Sequence, residues 1–149
     1  MTERLRIALE RLERALSARD WPSVRGLQPG LSEAEIRERL VDHDFDPPDE
    51  LITRFEWHDG YRQPADQNPS FRGGVIGSLA QVYSLEAAMH EYLFVTDTID
   101  ELDLDPEPRW FPVFSWLNGD ILLNCGSDPE TRGTVALFWP GPDEGFDGT

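Results

Sequence analysis

The fold is organised around residues 45–60, which read FDPPDELITRFEWHDG. Asp46 can cap the first turn of a helix, and Pro47 at the first helical position needs no hydrogen-bond donor. We expect Gly60 to end this helix, because glycine takes the left-handed conformation at low cost. One face of the helix collects Leu51, Ile52, Phe55 and His58. The stretch predicts a short helix on which the rest of the chain packs.

Two helices are predicted before this stretch. Residues 3–18 repeat leucine at intervals of three or four positions, which is typical of an amphipathic helix. We expect it to pack against its own domain, since about two heptads are few for an autonomous coiled coil; a dimer seam is the alternative. Residues 31–43 begin with Ser32 and Glu35, whose spacing forms a capping box and predicts the start of the second helix.

Another helix and a β-rich segment are predicted after it. Ser84 can cap the helix. One face of this helix collects Leu85, Ala88, Met89, Tyr92 and Leu93. Residues 111–125 hold two apolar runs around Asn118-Gly119, a hairpin signal because both central residues of such a turn need positive φ. Residues 134–139 supply a further strand that is apolar on both sides, so helices must cover at least one face of the sheet.

These elements predict an α+β fold in a single domain of 149 residues. We expect an antiparallel or mixed sheet of about four to six strands, covered by about four helices. Residues 1–30 form an N-terminal amphipathic helix and loop, residues 31–140 the core, and residues 141–149 an acidic flexible tail. A chain of this length buries about two thirds of its unfolded surface, so a core can form without a metal or a disulfide.

Charge is the most unusual global property of the sequence. The chain has 29 acidic residues against 13 basic ones, a formal net charge of −16, and every basic residue is arginine. Residues 1–31 hold six arginines and four acids, a net +2, so residues 32–149 carry −18. Such a field repels nucleic acid and anionic membranes and attracts a basic protein. The simpler interpretation, which we favour for the charge taken alone, is general solubility, with arginine usage set by a GC-rich or salt-adapted genome.

The single cysteine and the N-terminal segment bear on the compartment. Cys125 has no partner for an intrachain disulfide, which fits a reducing cytosol. It lies in an apolar strand, where we expect a packed thiol and not a nucleophile. The N-terminal segment mixes charges into every turn and lacks the apolar stretch of a signal peptide or a membrane span. The sequence therefore predicts a cytoplasmic protein without membrane association.

No catalytic, metal or cofactor site is predicted. The histidines at positions 43, 58 and 90 stand in no zinc-type spacing with one another or with the cysteine. The aspartates at positions 42, 44 and 46 alternate as in a calcium loop, but Pro47 occupies the position that needs glycine. Carboxylates distant in the sequence can still meet in space, so an acid–base hydrolase stays open as a hypothesis.

Aromatic residues beside acids form the predicted partner-binding surface. Trp57 lies away from the apolar face of its helix, and Trp116 lies at the mouth of the hairpin. Residues 97–107 contain six acids and no base. Tryptophan anchors carry much of the binding energy at protein interfaces, which favours these positions. The predicted contact residues are Trp57, Asp59, Asp100, Glu101, Asp103, Asp105, Trp116 and Asp120.

The order of these motifs resembles the SUKH superfamily, whose members include a fungal regulator of cell-wall glucan synthesis and many bacterial immunity proteins that neutralise toxins. The similarity covers residues 31–140. It rests on the proline-led helix FDPPDELITRFEWHDG and on the segments YSLEAAMHEY, RWFPVFSWLNGDILLNC and GTVALFWPGP. One departure is Asn124-Cys125, where the family often places an aspartate after the central strand.

The resemblance implies a non-catalytic protein-binding domain that needs no cofactor. The first hypothesis is an immunity protein that neutralises a bacterial toxin, such as a basic nuclease, through charge complementarity. The alternative is a regulatory or scaffolding domain related to cell-wall-synthesis regulators. In both cases we expect a protein partner, no nucleic acid, and a monomer or weak homodimer.

Overall fold

The computed structural model describes residues 2–19, 22–62, 75–76, 80–103, 109–116, 119–139 and 145–147. Within these ranges the chain forms four α-helices, a short 3-10 helix at Pro22–Gly26 and six β-strands. The helices are α1 (Thr2–Ala18), α2 (Glu33–Arg39), α3 (Asp49–Trp57) and α4 (Leu85–Glu101). The strands are β1 (Val75–Ile76), β2 (Ala80–Val82), β3 (Trp110–Trp116), β4 (Gly119–Asn124), β5 (Val135–Trp139) and β6 (Gly145–Asp147).

The strands form one sheet in which each strand pairs antiparallel with the next along the chain. The predicted α+β class is confirmed. The six strands fall within the four to six expected, although only β3, β4 and β5 have five to seven residues and the other three have two or three. Gly119 pairs with Trp116 and belongs to β4, so its predicted place in the turn is wrong, and Asn118, the other predicted turn residue, lies outside the described residues.

Helices cover both faces of the sheet. Consecutive residues of a strand point to opposite faces, and Leu122 and Leu123 of β4 belong to different core clusters. Leu123 packs with residues of α2, α3 and the first half of α4, whereas Leu122 packs with Val95 and Ile99 in the second half of α4. The prediction that helices cover at least one face is therefore confirmed.

The helix in the organising stretch begins later than predicted. Pro48 is the residue before the first turn of α3 and no side chain caps that turn, so the predicted cap at Asp46 is wrong. A proline disfavours the helical conformation in the residue before it, so Pro48 keeps Pro47 out of the helix. The Asp46 carboxylate lies instead 3.5 Å from Nη1 of Arg37. The start of α3 is thus set by the second proline of the pair.

The inner face and the end of α3 follow the sequence more closely. The predicted apolar residues Leu51, Ile52 and Phe55 are all buried. The helix ends at Trp57, and Gly60 takes the left-handed conformation with φ of 84°. Gly60 therefore turns the chain after the helix has ended, three residues beyond its last residue.

The two N-terminal helices lie where they were predicted. Ser32 and Glu35 make both hydrogen bonds of the capping box at the start of α2, which ends at Arg39, four residues before the predicted end. α1 packs along α3 and buries Leu9, so packing within its own domain is confirmed.

In the described ranges, no helix combines the length and the apolar character needed to cross a membrane.

Candidate partner-binding surface

The helical layer encloses a buried arginine. Arg54 of α3 donates from Nε to the carbonyl of Val113, at 3.1 Å. Its Nη1 and Nη2 atoms donate to the carbonyls of His58 and Tyr83, both at 2.8 Å. Burial lowers the pKa of Arg54 to about 9, while the charge of Asp59 acts in the opposite direction. Arg54 therefore connects α3 to β3 and to the start of α4, and it acts within the fold.

Asp59, a predicted contact residue, is used at the start of α4. Its Oδ1 atom accepts a hydrogen bond from the backbone N–H of Leu85, at 2.7 Å. Ser84, the predicted cap, accepts a hydrogen bond from the N–H of Ala87, at 3.1 Å. A Cβ atom at Gly60 would lie 2.8 Å from the backbone nitrogen of Ser84, so only glycine fits this approach. The Asp-Gly pair therefore joins the end of α3 to α4.

Trp57 is half-buried beside α1. With Leu9 it lines a groove of about 430 Å³ between α1 and α3. Its Nε1 atom is buried and has no hydrogen-bond partner among the described residues. The neighbouring His58 donates from Nδ1 to the carbonyl of Gln28, at 2.6 Å, and contacts the carboxylate of Glu13 through Nε2. These contacts hold α1 against α3, so α1 restricts access to the Trp57 ring.

Asp120, another predicted contact residue, is buried, and its placement on an exposed surface was wrong. Only 2% of the residue is exposed, because β4 is a central strand with both faces covered. Tyr83 donates its hydroxyl to Oδ1 at 2.5 Å, and the buried Oδ2 has no donor among the described residues. Burial is the main cause that raises the pKa of Asp120 to about 7; the nearby Glu91 also raises it, whereas the hydrogen bond from Tyr83 lowers it. Asp120 is therefore an interior titratable group.

The remaining predicted contact residues lie at the other end of α4. Asp100, Glu101 and Asp103 are exposed there. Asp59 caps the first turn of this helix, so about 24 Å of helix separates it from the acids at the C-terminal end. The side chain of Trp116 and the whole of Asp105 lie outside the described part of the chain. The predicted residues that are described therefore do not form one surface.

The outer face of α4 is the strongest candidate surface. We define it by Glu86, His90, Leu93, Phe94, Asp97 and Glu101, which lie opposite the buried residues of the helix. Leu93 is 60% exposed and Phe94 is 49% exposed. Leu93 was expected in the core stripe, and that placement was wrong. The helix continues to residue 101, so its buried face follows Tyr92, Val95 and Ile99.

The formal charges on this helix and its C-terminal turn are all negative. Residues 85–103 contain six acids and no arginine. Asp97, Asp100 and Glu101 lie in the last turns, where the helix dipole is negative and a carboxylate costs about 0.3–1 kcal/mol. Asp97 and Glu101 also form a like-charge pair one turn apart, which adds a similar small cost. The outer face of α4 thus combines two exposed apolar side chains with unfavourably placed carboxylates on their C-terminal side.

A groove adjoins this face where α4 meets the end of α2. It has a volume of about 520 Å³. Its lining residues are Arg39, His43, Glu86, Met89, His90 and Leu93. The His43 ring is held by contacts with the rings of Phe45 and Tyr92, at 5.6 and 5.7 Å between centroids. Val41, which is 73% exposed, follows α2 beside this histidine. The groove could not be predicted from the sequence, because a groove of this kind depends on the distance between two helices.

A metal site needs clustered ligands, and a reactive cysteine needs an accessible thiol. Among the described residues, no three His, Cys, Asp or Glu side chains lie close enough to hold a metal ion. Cys125 is buried, and burial raises the pKa of its thiol, as suits a packed cysteine.

Comparisons with known proteins add no family assignment. A scan against protein-family models found no match, and a search of curated proteins found none either. The resemblance to the SUKH superfamily stays a prediction. The function has to be inferred from the charge and shape of the described surface.

Proposed function

We propose that this chain is a non-catalytic protein-binding domain that neutralises a basic bacterial toxin by direct contact, as an immunity protein does. The observation that carries the proposal is the outer face of α4, where Leu93 and Phe94 are exposed among carboxylates. Exposed apolar clusters rimmed by polar groups are typical of protein interaction sites. The six acids of residues 85–103, without any arginine, favour a partner that is basic.

The energetics of α4 support a cationic partner. Acids at the C-terminal end of a helix lower its stability, because they meet the negative end of the dipole. Here Asp97, Asp100 and Glu101 occupy that end, and no basic residue stands in the last turn. Arginine or lysine side chains of a bound protein would remove this penalty. The arrangement therefore favours binding at the expense of the stability of the free domain.

The overall charge supports fast capture of such a partner. A net charge of −16 creates a long-range field that raises the rate of encounter with a basic protein. This steering weakens as salt screens the charges over a Debye length of about 8–10 Å. A toxin that acts on nucleic acid needs a basic substrate-binding surface. An acidic domain can occupy that surface in place of the substrate.

The test uses the full chain and the proteins encoded by the genes that flank its own, one of which should be the toxin. We expect equimolar inhibition of the toxin and an association rate that falls at least about tenfold between about 50 and about 300 mM NaCl. The charge-matched pair of variants is Asp97→Asn/Glu101→Gln on α4 and Glu56→Gln/Glu130→Gln elsewhere. The first variant should slow association clearly more than the second.

Two results would contradict the proposal. The first is the absence of binding and inhibition with the wild-type protein. The second is equal binding to several unrelated cellular proteins, which would favour the regulatory or scaffolding function instead.

A further inference from the structure

The groove between the end of α2 and α4 has the dimensions and walls of a binding site. Its volume of about 520 Å³ falls within the range of about 300–1,000 Å³ typical of ligand-sized pockets. Met89 forms part of the floor and packs on the main core. Met is a flexible and polarizable side chain that adapts to different apolar groups. The floor can therefore receive an apolar side chain without a change in the fold.

The two sides of the groove differ in rigidity and exposure. On the α2 side, His43 contacts Phe45, Tyr92 and Phe111 at ring-centroid distances of 5.6–6.4 Å, which fixes the wall. On the α4 side, Leu93 stands at the rim and is 60% exposed. A leucine so exposed beside a groove gains apolar contacts only when another molecule enters.

The charges around the groove select the kind of occupant. Glu86 belongs to the lining, and Asp97 follows Leu93 by one turn on the same helix face. Exposed Asp42 follows Val41 at the other end, and Arg39 is the only arginine among the lining residues. A second copy of this chain would bring a charge of −16 toward an equal charge, which opposes self-association. A segment that carries arginine or lysine beside an apolar residue fits both the walls and the rim.

We propose that the groove binds an amphipathic basic segment of the partner, whose apolar side chain packs between His43, Met89 and Leu93 while its cationic side chains reach Glu86 and Asp97. The inference rests on the proposed function, because it identifies where and how a basic partner would dock. It is a helix-in-groove type of recognition, in which a few apolar anchors set the affinity.

The first experiment uses a synthetic peptide of about 14 residues, with leucine and lysine at helical spacing. The control peptide has the same composition in an order that leaves no apolar face. We expect the amphipathic peptide to shift the backbone amide resonances of Met89, His90 and Leu93, and to bind at least about tenfold more tightly than the control. Equal binding of the two peptides would overturn the inference, since charge alone would then explain it.

Matched variants locate the site. Leu93→Gln removes the exposed apolar rim of the groove, and Ile7→Gln removes an apolar side chain of α1 that is 44% exposed. We expect Leu93→Gln to weaken the amphipathic peptide at least about tenfold and Ile7→Gln to change its affinity less than about twofold. Equal effects of the two substitutions would overturn the assignment. Both positions are exposed, so neither substitution should unfold the protein.

Binding of the toxin candidates from the flanking genes separates this inference from the proposed function. If Leu93→Gln weakens toxin binding and Ile7→Gln does not, the result supports both the groove and the proposed function. Tight toxin binding that Leu93→Gln leaves unchanged overturns the groove and keeps the function. A peptide that binds in the groove while the toxin does not bind supports the groove and overturns the function. A wild-type dimer that Leu93→Gln converts to a monomer in sedimentation would assign the groove to a second copy and overturn the inference.

Discussion

Arg54 and the outer face of α4 place charge beside apolar groups in opposite ways. The Arg54 guanidinium is buried, donates to three backbone carbonyls and lies over two phenylalanine rings at 4.5 and 4.6 Å. On α4, carboxylates stand exposed around Leu93 and Phe94, without an arginine in the same segment. The charge at Arg54 supports the fold, whereas we propose that the charge on α4 serves the binding of another molecule. Removing charge should therefore lower stability at the first site and raise it at the second.

The largest effect is expected at Arg54. Arg54→Met removes all three donors and leaves the carbonyls of Val113, His58 and Tyr83 buried without them. We expect a loss of about 3–5 kcal/mol in the free energy of unfolding, measured by urea denaturation. The control is Arg11→Met, an exposed position of α1, which should change stability by less than about 0.5 kcal/mol. A similar small change at Arg54 would show that the buried arginine does not hold these elements together.

A smaller effect, dependent on pH, is expected at Asp120. Its pKa is raised to about 7 from an ordinary 3.8, so the folded state holds the proton more tightly than the unfolded chain does. The resulting stabilisation is fully present below about pH 4 and is lost as pH rises through about 7. Asp120→Asn should remove about 1–3 kcal/mol of this pH dependence while keeping an acceptor for Tyr83. Urea denaturation at several pH values measures it, and an unchanged pH profile would rule out this role.

A cap substitution should cost less. Asp59→Ala removes the acceptor for the N–H of Leu85 and a charge near Arg54, with an expected loss of about 1–2 kcal/mol. Asp59→Asn keeps the acceptor and should recover more than half of that loss. If alanine and asparagine are equally destabilising in thermal unfolding, the cap is not the source of the effect.

The smallest effect should have the opposite sign. Asp97→Asn/Glu101→Gln removes carboxylates from the negative end of α4 and should raise stability by about 0.3–1 kcal/mol. The same variant should associate more slowly with the toxin. Urea denaturation measures the change. A loss of stability would mean that these acids stabilise the fold, as Arg54 does, and the difference between the two sites would be disproved.

Local signals in the sequence predicted much of the fold. The capping box of Ser32 and Glu35 and the apolar face of α3 each depend on residues within one or two turns. The start of α3 was predicted too early. Pro47 was expected as the first helical residue, but Pro48 disfavours a helical conformation at Pro47, so the helix begins at Asp49. Leu93 was assigned to the apolar face because that face was predicted from residues 85–93 alone. In the complete helix the buried face runs through Tyr92, Val95 and Ile99 instead.

Long-range contacts explain most of what the sequence could not predict about the candidate site. Asp59 caps a helix that begins 26 residues later, and no local pattern reveals that pairing. Arg54 and Asp120 are polar in the sequence, and their burial follows only from the elements that cover them. The groove beside His43 likewise depends on how α2 and α4 approach each other. Of the predicted contact residues that the structure describes, Glu101 belongs to the outer face of α4, and Asp100 and Asp103 are exposed at the same end of that helix.

The central claim is that the protein acts by contact through the outer face of α4. The most direct measurement is the dissociation constant of its complex with the toxin that the binding test identifies, compared between wild type, Phe94→Ser and the control Val135→Ser, whose side chain is similarly exposed. We expect Phe94→Ser to raise the constant at least about tenfold and Val135→Ser to change it less than about twofold. Equal affinities for all three proteins would contradict the claim.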